Sequence, residues 1–543
     1  MAKFITAQEA AKLIPDGATV GLAGMGLSGW PEEVACAVRD SFKESGHPCN
    51  LNLKQGSAMG DWGYGNQFLG WDRTRRESGP DTTHGFRGVT RFGEAGPGLI
   101  AKWSGAHIRF DDGTLLYSST ETPLNYAADM PQGVIVNLWR EIAAGRPGLM
   151  TKVGLGTFVD PRIEGGKMNT ATTDDLVELV EFQGEEYLFY KSFPVNVALL
   201  RGTTADENGN ITFEHESVLN EGLAVAMAAK NTGGIVIVQV EYVTKKGTMD
   251  PKLVKIPGIL VDYVVQATDP MACWQAEGIY FEPAFSGQIK KPVSALPRIP
   301  LSDRKVICRR CAMELKAGSV TNLGVGIPAD VASVVAEEGY IDSITLTAET
   351  GAVGGVPAAL PNFGSSYNPE CTMLHNDMFD MIDGGGLDIT ILGLAQADEA
   401  GNLNVSKFGT KLTGPGGFIN ITQSAKKVVF CGNFMAKSKL KVENEELTIL
   451  EEGTAKKFVK QVEQITFSGK YARPDQTVLY VTERCVFQLI DGRMVLTEIA
   501  PGIDLERDIL AHMDFLPVIS PDLKQMDKRI FRETWGGLGE NLG

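Results

Sequence analysis

Ser319-Val-Thr-Asn322-Leu-Gly324-Val-Gly326-Ile-Pro328-Ala-Asp-Val331 runs from an extended apolar stretch through a Gly-x-Gly loop into a helix start led by proline. Proline suits a first helical turn, where its missing N–H leaves no bond unmade. The same order stands near the beginning of the chain: extended Ala18 to Ala23, then Gly24-Met-Gly26, then Pro31-Glu-Glu-Val. A helical stretch precedes each copy. Thr6-Ala-Gln-Glu9 is a capping box before a helix ending near Leu13, and Asp303 to Lys316 reads as helical. Helix, strand, Gly-x-Gly and Pro-led helix thus appear twice, which predicts a duplicated architecture.

A second pair supports the first. Asp206-Glu-Asn-Gly-Asn210 and Asp398-Glu-Ala-Gly-Asn402 each follow an apolar strand, Val195 to Leu200 and Ile389 to Leu392, and each reads as a turn. Each Asp lies 16 residues before a glycine (Gly222, Gly414) and 29 or 30 before a β-branched run beginning at Ile235 or Val428. Pro31 and Asp206 are 175 residues apart, whereas Pro328 and Asp398 are 70 apart, so the first copy carries about 105 extra residues. Strands alternating with helices predict an α/β fold: two similar open domains with mostly parallel sheets and the active site at their interface. The expected boundaries are 1–283 for the N-terminal domain with an insertion at about 60–190, a proline-rich linker at 284–301, and 302–543 for the C-terminal domain.

Composition narrows the partners. The 543 residues carry 51 Lys plus Arg against 67 Asp plus Glu, a formal charge of -16, which argues against DNA or RNA as the main ligand. Hydrophobic residues at 43% and charged residues at 22% are ordinary for a globular chain, and the 62 glycines are the one excess. The eight cysteines do not form a secreted disulfide pattern. No secretory signal and no apolar run of membrane-spanning length is visible, so a cytoplasmic location is expected.

Gly24-Met-Gly26-Leu-Ser-Gly29 formally matches the dinucleotide fingerprint G-x-G-x-x-G. The second copy lacks the third glycine. Its candidate ribose-binding acid, Glu349, is followed by another glycine loop that such an acid does not need, which weighs against this reading.

That loop, Ile344-Thr-Leu-Thr-Ala-Glu349-Thr-Gly351-Ala-Val353-Gly354-Gly355-Val-Pro357, is the most informative stretch in the chain. An apolar strand delivers one carboxylate into small residues that let other atoms approach, which suits a nucleophile. An ordinary loop glutamate or a helix cap is the bland alternative. The corresponding first-copy strand, Leu51 to Lys54, leads instead to Gln55-Gly56, as expected of a duplicated scaffold with one reacting centre.

These residues resemble the family I CoA-transferases, and most closely the propionate CoA-transferase branch. The likeness rests on Thr347 to Ala358 and on Val320-Thr-Asn322-Leu-Gly324-Val-Gly326-Ile-Pro328. It extends to Lys152 to Pro161, Gly384 to Asp388, Gly414 to Thr422 and Glu498 to Leu505. It covers almost the whole chain from Phe4 to about Phe515, except 60–132, which departs from the pattern. The resemblance implies transfer of CoA from a short-chain acyl-CoA, propionyl-, acetyl-, lactyl- or butyryl-CoA, to a free carboxylate through a thioester on Glu349. It implies oxyanion and CoA contacts from Asn322, Gly324, Val325, Gly326, Gly414, Gly416 and Gly417. An acyl pocket would draw on Gly351, Val353, Gly354, Gly355, Met25 and Gly26, with Val356 and Pro357 helping to exclude water. It further implies coenzyme A as substrate with no other cofactor and no metal, and a homotetramer. An acyl-CoA thioesterase on the same scaffold and a non-catalytic binding protein for a small phosphorylated ligand are the alternatives.

Other features read as structural. Cys308-Arg-Arg-Cys311 has metal-like spacing without a second pair, and is better explained as partly buried helix thiols. His215 is not expected to touch ligand. Arg304, Lys305, Arg309 and Arg310 are expected on a solvated or interface face rather than at CoA phosphates. Ser28 has no nearby histidine and no nucleophile elbow around it.

Overall fold

The structure is a computed structural model and describes residues 2–61, 87–107, 126–292, 298–409 and 411–542. Two large sheets organise it. The first has eight strands drawn from residues 3–266, and the second has ten drawn from 320–525. Within the first, Tyr263–Gln266, Ile235–Val240, Val197–Arg201, Thr19–Leu22 and Leu51–Gln55 lie side by side, all parallel. Within the second, Thr477–Val481, Lys427–Cys431, Ile389–Gly393, Val320–Leu323 and Thr345–Thr347 repeat that order, again all parallel. The duplication is therefore topological as well as sequential. Strands such as Val197–Arg201 are buried along their whole length, as covering both faces of a parallel sheet requires.

Local chemistry repeats too. Asp206 Oδ1 accepts from the N–H groups of Asn208 and Asn210 while Oδ2 accepts from Asn210 Nδ2, all at 2.9 Å. Asp398 does the same with Ala400, Asn402 and the Asn402 amide, at 3.0 to 3.1 Å. In the first helix, Ala7–Lys12, the Thr6–Glu9 capping box forms.

The lobes differ beyond the shared strands. In the first, Ile100–Gly105 and Tyr126–Asp129 extend the sheet in parallel and lead to helix Gln132–Ala143 and a three-stranded sheet spanning 148–191. In the second, the position after Thr345–Thr347 is taken by short antiparallel strands, Ala352–Val353 and Cys371–Thr372. Much of 60–132 and residues 293–297 of the expected linker lie outside the described residues. The preceding Lys290 binds the carbonyls of Asn368 and Pro369, which ties this stretch to the second lobe. Among the described residues no helix is long and apolar enough to cross a membrane.

The helix expected at Asp303 to Lys316 is shorter, Asp303–Ala312, and of its basic residues only Arg304 is solvated, while Lys305, Arg309 and Arg310 are buried. The tail around 528–542 folds across it. Arg309 is fully buried and donates to the carbonyls of Ile530, Arg532 and Glu533. Arg310 forks onto Glu498 at 2.7 and 2.8 Å and also binds Glu314. Lys305 binds Glu337, and Arg304 pairs with Asp330. Cys308 and Cys311 are buried outright. A stretch this polar gave no sequence sign of burial, because its partners lie far along the chain.

Candidate active site

Glu349 occupies a tight turn at the carboxyl end of strand Thr345–Thr347. Gly351 N–H donates to the Ala348 carbonyl and Ala348 N–H to that of Ala352, both at 2.9 Å. Gly351 has φ +121, and a side chain there would overlap the Met373 carbonyl. The turn is fastened below by Met373 N–H to the Gly351 carbonyl at 2.8 Å, and Thr350 Oγ1 donates to the Gly364 carbonyl at 2.6 Å.

The carboxylate faces a cleft of about 390 Å³ whose lining also includes Asn322, Gly324, Val325, Gly414 and Gly417. Leu360, Phe363, Leu392, Val405, Phe418 and Ile421 make most of its wall apolar, and His107 and Lys411 line it as well. Burial pushes the Glu349 carboxyl above its ordinary value. Its own backbone N–H, the nearby His375 and the Asn322 side chain act in the opposite sense.

Not every glycine amide nominated above is available to a ligand. Gly324 N–H donates to the Ile391 carbonyl at 2.9 Å, Gly414 N–H to Ser406 at 3.2 Å and Gly416 N–H to Ala106 at 2.7 Å. Among the described residues the amides of Val325, Gly326 and Gly417 have no such partner. Of these three, Val325 and Gly417 line the cleft with Glu349, whereas Gly326, like Gly416, is not part of its wall. The expected acyl-pocket set is likewise redistributed. Gly351, Gly354, Gly355 and Val353 build the turns and strands of the segment behind Glu349 and are not part of the cleft wall. Val356 and Pro357 pair with Ser366–Tyr367 instead. Met25 packs with Ala58 behind Phe363, and Gly26 N–H is bound to the Ala58 carbonyl at 2.9 Å.

The first Gly-x-Gly loop is filled by protein. Glu216 accepts from Ser28 Oγ at 2.8 Å and from Gly29 N–H at 2.9 Å, and is held by Arg201 at 2.7 Å. A buried carboxylate stands where a dinucleotide would present its pyrophosphate, and like charges cannot share that loop. His215 stacks near Phe281 and contacts Glu241, away from the cleft lining.

Three mutually bonded polar residues, of which His375 is near Glu349, escaped the sequence reading. His375, the first residue of helix His375–Asp383, has Nδ1 2.8 Å from Glu221 Oε2 and Nε2 2.9 Å from Gln132 Nε2. Gln132 N–H in turn donates to the Gly416 carbonyl at 2.9 Å. Single buried polar residues hundreds of positions apart have no shared periodicity to reveal them.

Comparison with known proteins identifies the family. A family profile described as Coenzyme A transferase matches residues 119–267. The caffeate CoA-transferase of Acetobacterium woodii is 63% identical over 549 residues, covering 100% of both chains. The acetate CoA-transferase YdiF of Escherichia coli O157:H7 is 39% identical, covering 97% of this chain and 94% of the relative. The crystal structure of the YdiF acyl-CoA transferase apoenzyme superposes with a TM-score of 0.88 at 37% identity, over 99% of this chain and 97% of that one. The thioester complex of the same enzyme with CoA gives 0.87 at 38% identity, with the same coverage. The chain belongs to the family I CoA-transferases and is a CoA-transferase enzyme.

Proposed function

We propose that the enzyme moves CoA between an acyl-CoA and a free carboxylate through a thioester on Glu349, and that its acids are arylpropenoates of the caffeate type. Glu349 attacks the thioester carbonyl, forming a mixed anhydride and expelling CoA thiolate. The thiolate attacks the glutamyl carbonyl, forming glutamyl-CoA and releasing the first acid. The acceptor carboxylate then attacks glutamyl-CoA and expels CoA thiolate, which attacks the acyl carbonyl of the new anhydride and frees Glu349. Each step exchanges one bond to a carbonyl carbon, and no electrons change hands.

The observation that carries the covalent reading is the lone carboxylate at a strand end facing an apolar cleft. The amides of Val325 and Gly417, both in the cleft wall, are our candidates to receive the oxyanion, each worth ~3 kcal/mol in the barrier. The apolar wall slows hydrolysis of the glutamyl thioester, which favours transferase over thioesterase. The thioester complex of YdiF with CoA supports the same intermediate.

The full-length 63% identity to a caffeate CoA-transferase supports the arylpropenoate assignment, and Phe363 and Phe418 in the cleft suit a flat ring. The short-chain acids implied by the family resemblance are the second reading, favoured by the 39% identity to an acetate CoA-transferase. We further expect a cytoplasmic homotetramer, tested by light scattering and cell fractionation. For the chemistry, the protein is incubated with caffeoyl-CoA or acetyl-CoA, reduced with borohydride and analysed by peptide mass spectrometry. Modification at Glu349 is expected, and its absence with both donors overturns the covalent reading. A kcat/KM for acetate or propionate above that for caffeate overturns the arylpropenoate assignment.

A further inference from the structure

Pro415 to Phe418 form a tight turn at the cleft wall, closed by Phe418 N–H to the Pro415 carbonyl at 3.0 Å. Its two central residues are glycines, Gly416 with φ +54 and Gly417 with φ -78 and ψ -2, which makes a type II′ turn. Turning the central peptide over converts it to type I′, with φ positive at both central residues. Glycine adopts either sign of φ, so the Gly416-Gly417 sequence does not choose between the two. The choice decides where one amide points. A trans peptide carries its N–H opposite its C=O, so the Gly416 carbonyl and the Gly417 N–H exchange sides when the unit turns over.

What holds the unit comes from the other lobe. The Gly416 carbonyl accepts from Gln132 N–H at 2.9 Å, and Gln132 is the first residue of helix Gln132–Ala143. The first amides of a helix have no partner inside it and are left to bind elsewhere. Gly133, the next residue, donates to Asn420 Oδ1 at 3.0 Å. A side chain at Gly133 would overlap Asn420 and Phe379, so its absence lets the helix approach this closely. The other bonds of the loop act on other peptide units. Gly416 N–H, bound to the Ala106 carbonyl at 2.7 Å, belongs to the Pro415–Gly416 unit, and the His107 ring is bound to the Thr413 carbonyl. Gly417 lines the cleft with Glu349, whereas Gln132 and Gly416 lie outside its wall. With the Gly416 carbonyl turned toward Gln132, the Gly417 N–H is left on the cleft side.

We propose that the backbone N–H of Gln132 is a latch that keeps the Gly416–Gly417 peptide in its type II′ orientation, with Gly417 N–H presented to the oxyanion. Gln132 is thus a positioning residue that acts through Gly417 and not on the substrate. The second lobe supplies the donor and the first lobe sets its direction. The same bond polarises the peptide, which strengthens the Gly417 N–H as a donor.

The inference rests on Gly417 as an oxyanion donor, and the experiment separates the two. Gln132→Pro removes the N–H at a first helical position that follows a residue with ψ 138, where proline is accommodated, and sets its ring against the Gly416 carbonyl. Gln132→Ala loses the same side chain and keeps the N–H. Gly417→Pro removes the donor itself at a φ that proline adopts. For each variant, and for each Gln132 variant combined with Gly417→Pro, kcat and KM are measured per folded molecule with acetyl-CoA and with caffeoyl-CoA. The kcat of Gln132→Pro should lie at least about tenfold below that of Gln132→Ala, with KM values for acyl-CoA within about twofold of each other. In the Gly417→Pro background the two Gln132 variants should share one kcat, because the latch has no donor left to orient. An ester in place of the amide at position 132 removes the same donor without the ring, and stands in for Gln132→Pro if that chain does not fold. Equal kcat in the two Gln132 variants, a difference carried by KM, or a difference that survives in Gly417→Pro overturns the latch and leaves Gly417 a donor. A kcat for Gly417→Pro within about twofold of wild type overturns that donor and the latch with it.

Discussion

The Met373 carbonyl fills the space beside Gly351 so completely that no side chain fits there, and the Met373 N–H returns a 2.8 Å hydrogen bond to the Gly351 carbonyl. This contact sets the turn that aims Glu349. Gly351→Ala must open it, at a cost of roughly 2 kcal/mol for the backbone strain alone. We expect kcat to fall more than about tenfold with a lowered melting temperature, since a displaced carboxylate loses the approach geometry that the proposed mechanism requires. Unaltered kcat in this variant rules out the turn as the positioning element.

Length at position 349 should matter as much as charge. Glu349→Asp withdraws the carboxylate by one methylene and is expected to reduce kcat by about 10²-fold. Glu349→Gln removes the proposed nucleophile and is expected to cost at least ~10³-fold. Steady-state transfer assays give both numbers, and a Gln variant within tenfold of wild type contradicts the mechanism.

Two glycines of the cleft loops predict different outcomes from the same substitution. At Gly416, φ +54, an added methyl would run into the His107 ring, whose Nδ1 is bound to the Thr413 carbonyl at 3.1 Å. At Gly326, φ +90, it would meet nothing within 4 Å. Both alanine variants pay about 1–2 kcal/mol for the positive φ. Gly416→Ala should in addition raise the KM for acyl-CoA several-fold, and equal KM values in the two variants contradict this reading of the loop.

Arg310 is buried between Glu498 and Glu314, away from the cleft. Arg310→Met leaves two carboxylates without their guanidinium and should lower stability by about 3 kcal/mol. KM for acyl-CoA should not change. Chemical denaturation and initial-rate assays on the same preparation check the pair of outcomes, and a raised KM without a stability loss makes Arg310 a phosphate ligand instead.

Asp129 ends strand Tyr126–Asp129 fully buried, with neither carboxyl oxygen partnered among the described residues. Burial holds this carboxyl well above its ordinary value. Unfolded, the group ionises near ~3.9. Its contribution to stability is therefore present below that pH and is lost as pH rises toward the folded value, because only the unfolded chain releases the proton. Asp129→Asn lacks this loss. Its melting temperature should gain on that of wild type, by on the order of 1 °C or more, as pH rises above about 4. A difference that stays constant with pH contradicts the assignment.

The sequence by itself determined the parts that short-range chemistry encodes. The paired Gly-x-Gly loops, the Asp206 and Asp398 turns and the strand-end position of Glu349 were legible because each depends on neighbours within a few residues, and the parallel sheets because strands alternate with helices along the chain. Tertiary structure alone decided what those parts face. It filled the first glycine loop with Glu216, 188 residues from Ser28, and buried Arg309 under carbonyls more than 220 residues away. It also spent the amides of Gly324, Gly414 and Gly416 on other carbonyls and set His375 between Glu221 and Gln132. A hydrogen bond between distant residues leaves no periodicity in either segment, so which donors remain for a ligand is settled only by tertiary packing, within the second lobe for Gly324 and Gly414 and between lobes for Gly416.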